Sequence, residues 1–173
     1  MAQTELQLAQ SNPQIHNLYN AYKKMYEAIG VKDVNQILPS PSPPAPKDPS
    51  LEHIDAMAGK PFQAFPGQDH RAHITAHLNF MSTNMVRNNP TIMAAIQKNI
   101  LEHISIMAQE QVQIEFREQM MQMQSLQQQA PTNPQAAQLL QQITNTMESR
   151  KAVLIAEMTE DFMKEENNIT SQF

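Results

Sequence analysis

Apolar residues recur at three- and four-residue steps along most of this chain, which is the pattern of amphipathic helices. Residues 1–38 read as helix with one interruption, Asn12 serving as N-cap and Pro13 as the first residue of the second segment. Ile15, Leu18, Tyr22, Met25, Tyr26 and Ile29 then make one apolar face, and Gly30 offers a C-terminal stop because it tolerates positive φ. Val31 to Leu38 adds a short helical turn before Pro39.

The periodicity then breaks. Residues 39–49 hold six prolines (39, 41, 43, 44, 46 and 49), too few amide donors for a helix or a central strand, so an extended strap is expected. Asp48 is placed to cap a short helix beginning at Pro49 and ending near Gly59. Residues 60–68 are again extended, with Phe62 and Phe65 as anchors of that strap on a helical surface.

Helical periodicity returns with Asp69 as cap of a helix over 70–86, carrying Ile74, His77, Leu78 and Met81 on one side. Asn89 and Pro90 open a long helix over 90–128, striped by Met93, Ile96, Ile100, Ile104 and Met107 and continued by Ile114. After a break at 130–134, a last helix over 135–167 bears Leu140, Ile143, Met147, Leu154, Met158 and Phe162. A short connection between long helices favours an antiparallel hairpin, whose arms reach roughly 50 Å at 1.5 Å per residue. The expected fold is all-α, with no sheet. It comprises an N-terminal helical segment (1–38), a Pro-rich strap with a short helix (39–68), and a helical bundle ending in a long hairpin (69–173).

Composition adds that either the helices are long and thin or part of the burial comes from neighbouring chains. Apolar residues make up 40% of the 173, and aromatics 5%. That is below the roughly 45–50% of an ordinary globular domain, so a large private core is not expected. Ile96, Ile100, Ile104, Met107, Met120, Met123, Leu140, Ile143, Met147, Leu154, Met158 and Phe162 are therefore candidate contacts between copies. From Gln119 to Met147 there is no charged residue. Such a neutral Gln/Met run reads either as a frayed low-complexity tip or as a tip packed on identical copies, and it also suits a surface facing something highly charged without gripping it. The net charge of -5 and the scattered basic residues argue against sequence-specific nucleic-acid reading. No run approaches the length of a membrane span, and the first residues lack the basic-then-apolar order of a secretion signal.

Candidate chemistry is sparse. With no Cys, thiol nucleophiles and thiolate metal sites are excluded from this sequence, and three scattered Gly (30, 59 and 67) leave no phosphate-cradling loop. No nucleophile or carboxylate pair stands in a recognisable catalytic context, so no enzyme activity and no cofactor are expected. The conspicuous cluster is His70, His73 and His77, at i, i+3 and i+7 on one helix face. Imidazoles at that spacing can hold a transition metal, but further ligands are not evident, and hydrogen bonding at a helix contact is the expected role. Leu-Glu-His-Ile occurs at 51–54 and again at 101–104. The flanks do not match, so the recurrence reads as coincidence.

Several of these segments together resemble a known family. They are His16-Asn17-Leu18-Tyr19-Asn20-Ala21-Tyr22, Gln36-Ile37-Leu38-Pro39, the Pro-rich strap, and above all Gln63-Ala64-Phe65-Pro66-Gly67-Gln68-Asp69-His70-Arg71-Ala72-His73-Ile74-Thr75-Ala76-His77, followed by Asn89-Pro90 and a Leu101-Glu102-His103 helix. Over about residues 5–118 the chain resembles the C-terminal region of portal proteins from tailed double-stranded DNA phages of podovirus type. The resemblance implies a structural role at the capsid vertex of a virion assembled in the host cytoplasm. Portals form a twelve-fold ring through which a separate terminase drives DNA, and their C-terminal helices build a crown or barrel. Its implied partners are identical copies, the rest of the portal and capsid, and DNA passing without specific binding, with no membrane. A whole portal also has wing, stem and clip regions that this sequence lacks, which implies a C-terminal fragment, a split-gene product or an internal start. The alternatives are a free-standing helical adaptor or scaffold-like binding module, and a histidine-based metal-binding helical protein.

Overall fold

The computed structural model describes residues 1–12, 17–38 and 43–172. Among them the chain is all-α, with nine helices and no strand. It divides into two compact units, Met1–Pro44 and Ala45–Phe173. The boundary thus falls inside the Pro-rich stretch, and the short helix after it belongs with the bundle.

In the first unit, α1 (Ala2–Ser11) and α2 (Leu18–Ala28) pack together, and α3 (Val34–Ile37) follows as a single turn. Leu6, Ala9 and Ala21 form its small core, flanked by Leu18, Tyr22 and Met25. The second helix starts later than its sequence suggests. Asn12 closes α1, its N–H donating to the Leu8 carbonyl, whereas Asn17 caps α2 by accepting from Asn20 N–H at 3.0 Å. Asn17 is the cap because its side-chain oxygen reaches an otherwise unpaired N–H of the first turn. Pro13 and Ile15 lie outside the described residues. Gly30 stops α2 with φ of 85°.

The second unit contains α4 (Pro49–Met57), α5 (His70–Met81), α6 (Asn84–Arg87), α7 (Pro90–Glu115), α8 (Arg117–Gln129) and α9 (Pro134–Ser171). Three of its starts follow the expected caps: Asp48 accepts from Ser50 N–H, Asp69 from Ala72 N–H and Asn89 from Ile92 N–H. At the start of α9, inside the expected break, Asn133 caps by accepting from the N–H groups of Gln135 and Ala136. Two long expected helices are each divided. A turn at Ser82–Thr83 separates α5 from α6, with both hydroxyls bonded back to the carbonyls of Asn79 and Phe80. A single non-helical residue, Phe116, separates α7 from α8, and its half-buried ring packs with Ala108, Val112 and Leu154. No Gly or Pro follows Pro134, so α9 runs unbroken for 38 residues, about 57 Å.

Helix α9 runs antiparallel to α7 and α8. Its start joins the end of α8, Arg150 meets Glu115, and Phe162 sits with Ile100 and Ile104. The core gathers Ile74 and Leu78 from α5, Val86 from α6, Ile92 to Ile104 from α7, and Phe162. The line of buried residues on α7 continues as Ala108 and Val112, not as Ile114, which is 64% exposed. Steps of four residues advance about 40° round a helix of 3.6 residues per turn. The buried line therefore winds from the face toward α5 to the face toward α9.

Candidate functional site

Several positions expected between copies are corrected to core positions. Ile96, Ile100, Ile104, Leu154 and Phe162 are buried within the chain itself, because α5 and α9 supply the partner surface that composition seemed to deny. Met107, Met123, Leu140, Ile143, Met147 and Met158 are half-buried, and Met120 is exposed. Of the two strap anchors, Phe62 packs on the main core, while Phe65 is half-buried and its N–H donates to Gln68 Oε1 at 2.7 Å.

The chemistry of the second unit gathers at one junction. Five of the chain's six histidines, residues 53, 70, 73, 77 and 103, lie where α4, α5 and α7 meet. Asp48 and Asp69 set the starts of α4 and α5, which fixes the helical registers that place these side chains. The carboxylate of Glu52, 1% exposed, is their centre. Its Oε2 lies 3.2 Å from His73 Nδ1 and 3.2 Å from His77 Nε2. His73 and His77 stand four residues apart, so both reach the same side of α5.

Each of these groups has a neighbour behind it. His53 Nε2 meets His77 Nδ1 at 2.9 Å, and the His53 ring stacks on Phe80. Asn99 Oδ1 lies 2.8 Å from His77 Nε2. His103 Nδ1 meets His70 Nδ1 at 2.8 Å, and His70 Nε2 stands 3.3 Å from Glu110 Oε2 without an aligned hydrogen bond. Glu110 Oε1 in turn accepts from Gly67 N–H, and Glu102 Oε2 accepts from Ala64 N–H. These two contacts fasten the 60–68 strap to α7. On the other side of the strap, Lys47 pairs with the buried Asp55 of α4.

Burial sets the protonation of two of the rings. Desolvation, reinforced by His77, pushes the His53 pKa down to about 4, and desolvation, reinforced by His73, pushes that of His103 down to about 3. Both are neutral at physiological pH. Among the described residues, three buried side-chain polar atoms have no hydrogen-bond partner: Glu52 Oε1, His70 Nε2 and His103 Nε2. Glu52, His73, His77 and His103 each offer one ligand atom, all within 4.8 Å of one another, so this group is the one able to hold a metal ion among the described residues.

Of the sequence candidates, His73 and His77 stand in that group, and His70 stands behind His103. Sequence reasoning missed Glu52, His53, Asn99 and His103. The available signal was the repeated Leu-Glu-His-Ile, whose two copies meet at this junction. On α4 the glutamate points inward and the histidine is half-buried, whereas on α7 the histidine is buried and Glu102 is half-buried.

The hairpin surface is different in kind. Ile114, Met120 and Met121 line an open groove with Gln113 and Gln124. A second groove, between α5, α7 and α9, is lined by Leu78, Leu101, Phe162 and Met163, with Leu101 and Met163 both 57% exposed. Within the charge-free run, Leu126 and Ala136 are the buried side chains. No protein family, curated protein or solved structure matches this chain. No helix among the described residues is long and apolar enough to cross a membrane.

Proposed function

We propose that the chain is a structural assembly element that works by packing against copies of itself, as the crown or barrel part of a phage portal channel does. The observation that carries this reading is the presence of two separate sets of exposed apolar side chains on the second unit. Leu101 and Ile114 are thirteen residues apart on α7, about 20 Å along its axis. A ring needs two different, complementary patches on each copy, whereas a two-fold dimer needs one self-complementary patch. Exposed Leu101 and Met163 on one side and Ile114, Met120 and Met121 on the other supply two.

The portal resemblance of residues 5–118 supports the same reading and gives the ring its purpose. A hairpin tip without charge from Gln119 to Met147 suits a channel wall, since clustered Lys and Arg would hold phosphates and slow the passage of DNA. The partners then are identical copies, the remainder of the portal and capsid, and DNA that slides past unbound.

The test is the solution mass of the chain by light scattering on a sizing column. A species near twelve copies, broken down by Leu101→Lys and by Met121→Lys with helical content intact, is the expected result. A well-folded monomer at every concentration would overturn self-packing and favour a free-standing helical adaptor.

A further inference from the structure

A buried carboxylate ringed by imidazoles, with polar atoms left unpartnered, is an incomplete arrangement. A buried polar atom left without a partner carries its full desolvation penalty, and more when it is charged. Glu52 Oε1 and His103 Nε2 are two such atoms, and both residues are at most 1% exposed. Hydrogen bonding among the side chains themselves does not satisfy the cluster, whereas a cation at its centre would take the free His103 nitrogen and give the Glu52 carboxylate a partner of opposite charge.

We infer that Glu52, His73, His77 and His103 form a structural site for a divalent transition-metal ion of the zinc class, which pins α4, α5 and α7 together. The donor set is three imidazole nitrogens and one carboxylate oxygen, with no thiolate, a combination that suits zinc and its first-row neighbours. Four protein ligands complete a tetrahedral shell and leave no open position for substrate, so the ion's role is structural. In a tetrahedral site, bonds of about 2.0–2.2 Å hold neighbouring donor atoms about 3.3–3.6 Å apart. Glu52 Oε2 already lies 3.2 Å from both His73 Nδ1 and His77 Nε2. All four ligand atoms fall within 4.8 Å of one another, so closing the shell takes small side-chain rotations.

The surrounding residues fit a second layer that sets which ring nitrogen is free. Metal-bound histidines donate their other N–H to a neighbouring acceptor. His77 Nδ1 has His53 Nε2 at 2.9 Å for this purpose. His103 Nδ1 has His70 Nδ1 at 2.8 Å, and His70 Nε2 then faces Glu110 Oε2 at 3.3 Å. That chain ends on a carboxylate and leaves the His103 Nε2 lone pair unprotonated. Asn99 Oδ1, which shares His77 Nε2, is the neighbour a bound ion displaces.

The site lies within a single chain and does not depend on self-packing. Its test uses untagged, metal-stripped full-length chain titrated with zinc(II), and with cobalt(II) as a spectroscopic probe. Expected are one equivalent of zinc per chain by elemental analysis after desalting, a raised melting temperature that saturates at one equivalent, and the visible bands of tetrahedral cobalt(II). Glu52→Gln, which keeps the shape of the side chain, should weaken zinc binding at least a hundredfold. His53→Gln, changing a half-buried positioning residue, should weaken it about ten- to a hundredfold. A wild-type chain that takes up no stoichiometric zinc or cobalt and gains no thermal stability overturns the inference, whether or not the variants fold. Undiminished uptake in folded Glu52→Gln and His103→Gln chains would also overturn it, because the metal would then sit elsewhere.

Discussion

Glu52 and His77, twenty-five residues apart on α4 and α5, meet with Oε2 3.2 Å from Nε2, and neither is more than 1% exposed. Breaking such a buried polar pair by deleting one partner leaves the other desolvated and uncompensated. In chain held metal-free by a chelator, Glu52→Ala should therefore lower the unfolding free energy by about 1–3 kcal/mol, read by urea denaturation. A loss below about 1 kcal/mol would mean that the carboxylate does not anchor the junction.

The winding of the buried line on α7 separates two isoleucines that look alike in sequence. Ile96 is completely buried and Ile114 is 64% exposed. Ile96→Ala should cost about 2–5 kcal/mol, the range for emptying a packed core site. Ile114→Ala, measured where the chain is monomeric, should stay within about 0.5 kcal/mol. Equal costs would contradict the assignment of faces.

Across the hairpin, Arg150 Nε and Nη2 hold both oxygens of Glu115, at 2.8 and 3.1 Å. Those hydrogen bonds, with a smaller one from Gln111, bring the Glu115 carboxyl from 4.5 down to about 2. A depressed carboxyl stabilises the folded chain above its unfolded pKa. The contribution is therefore complete above about pH 4.5 and fades as pH falls toward 2. Arg150→Gln should return Glu115 toward the ordinary carboxylate range in an NMR titration. An unchanged titration curve would show that the ion pair does not form in solution.

How much of this could be read beforehand depended on the range of the interaction. Helix starts were legible where a cap, a proline and an apolar stripe coincide, as at Asp48-Pro49 and Asn89-Pro90, while the Asn133-Pro134 start of α9 read as part of a break. They were misplaced at Asn12, where the proline signal competed with a later cap beside the stripe. Interruptions at Ser82 and Phe116 were not legible, since neither is a strong helix breaker and the surrounding periodicity passes through them. The candidate site was half legible. His70, His73 and His77 announced themselves by spacing on one helix, but Glu52 and His103 come from other helices, and only packing decides which of their faces turns inward.

The sequence by itself determined the all-α class, the capped starts at Asp48, Asp69 and Asn89, and the hairpin, because each follows from backbone preferences and periodicity within a few neighbouring residues. The tertiary structure decided that Ile96, Ile100, Ile104, Leu154 and Phe162 serve the chain's own core and that the two Leu-Glu-His-Ile segments converge on one buried cluster. Both outcomes rest on contacts between residues tens of positions apart, whose register is set by how the helices pack and wind about one another.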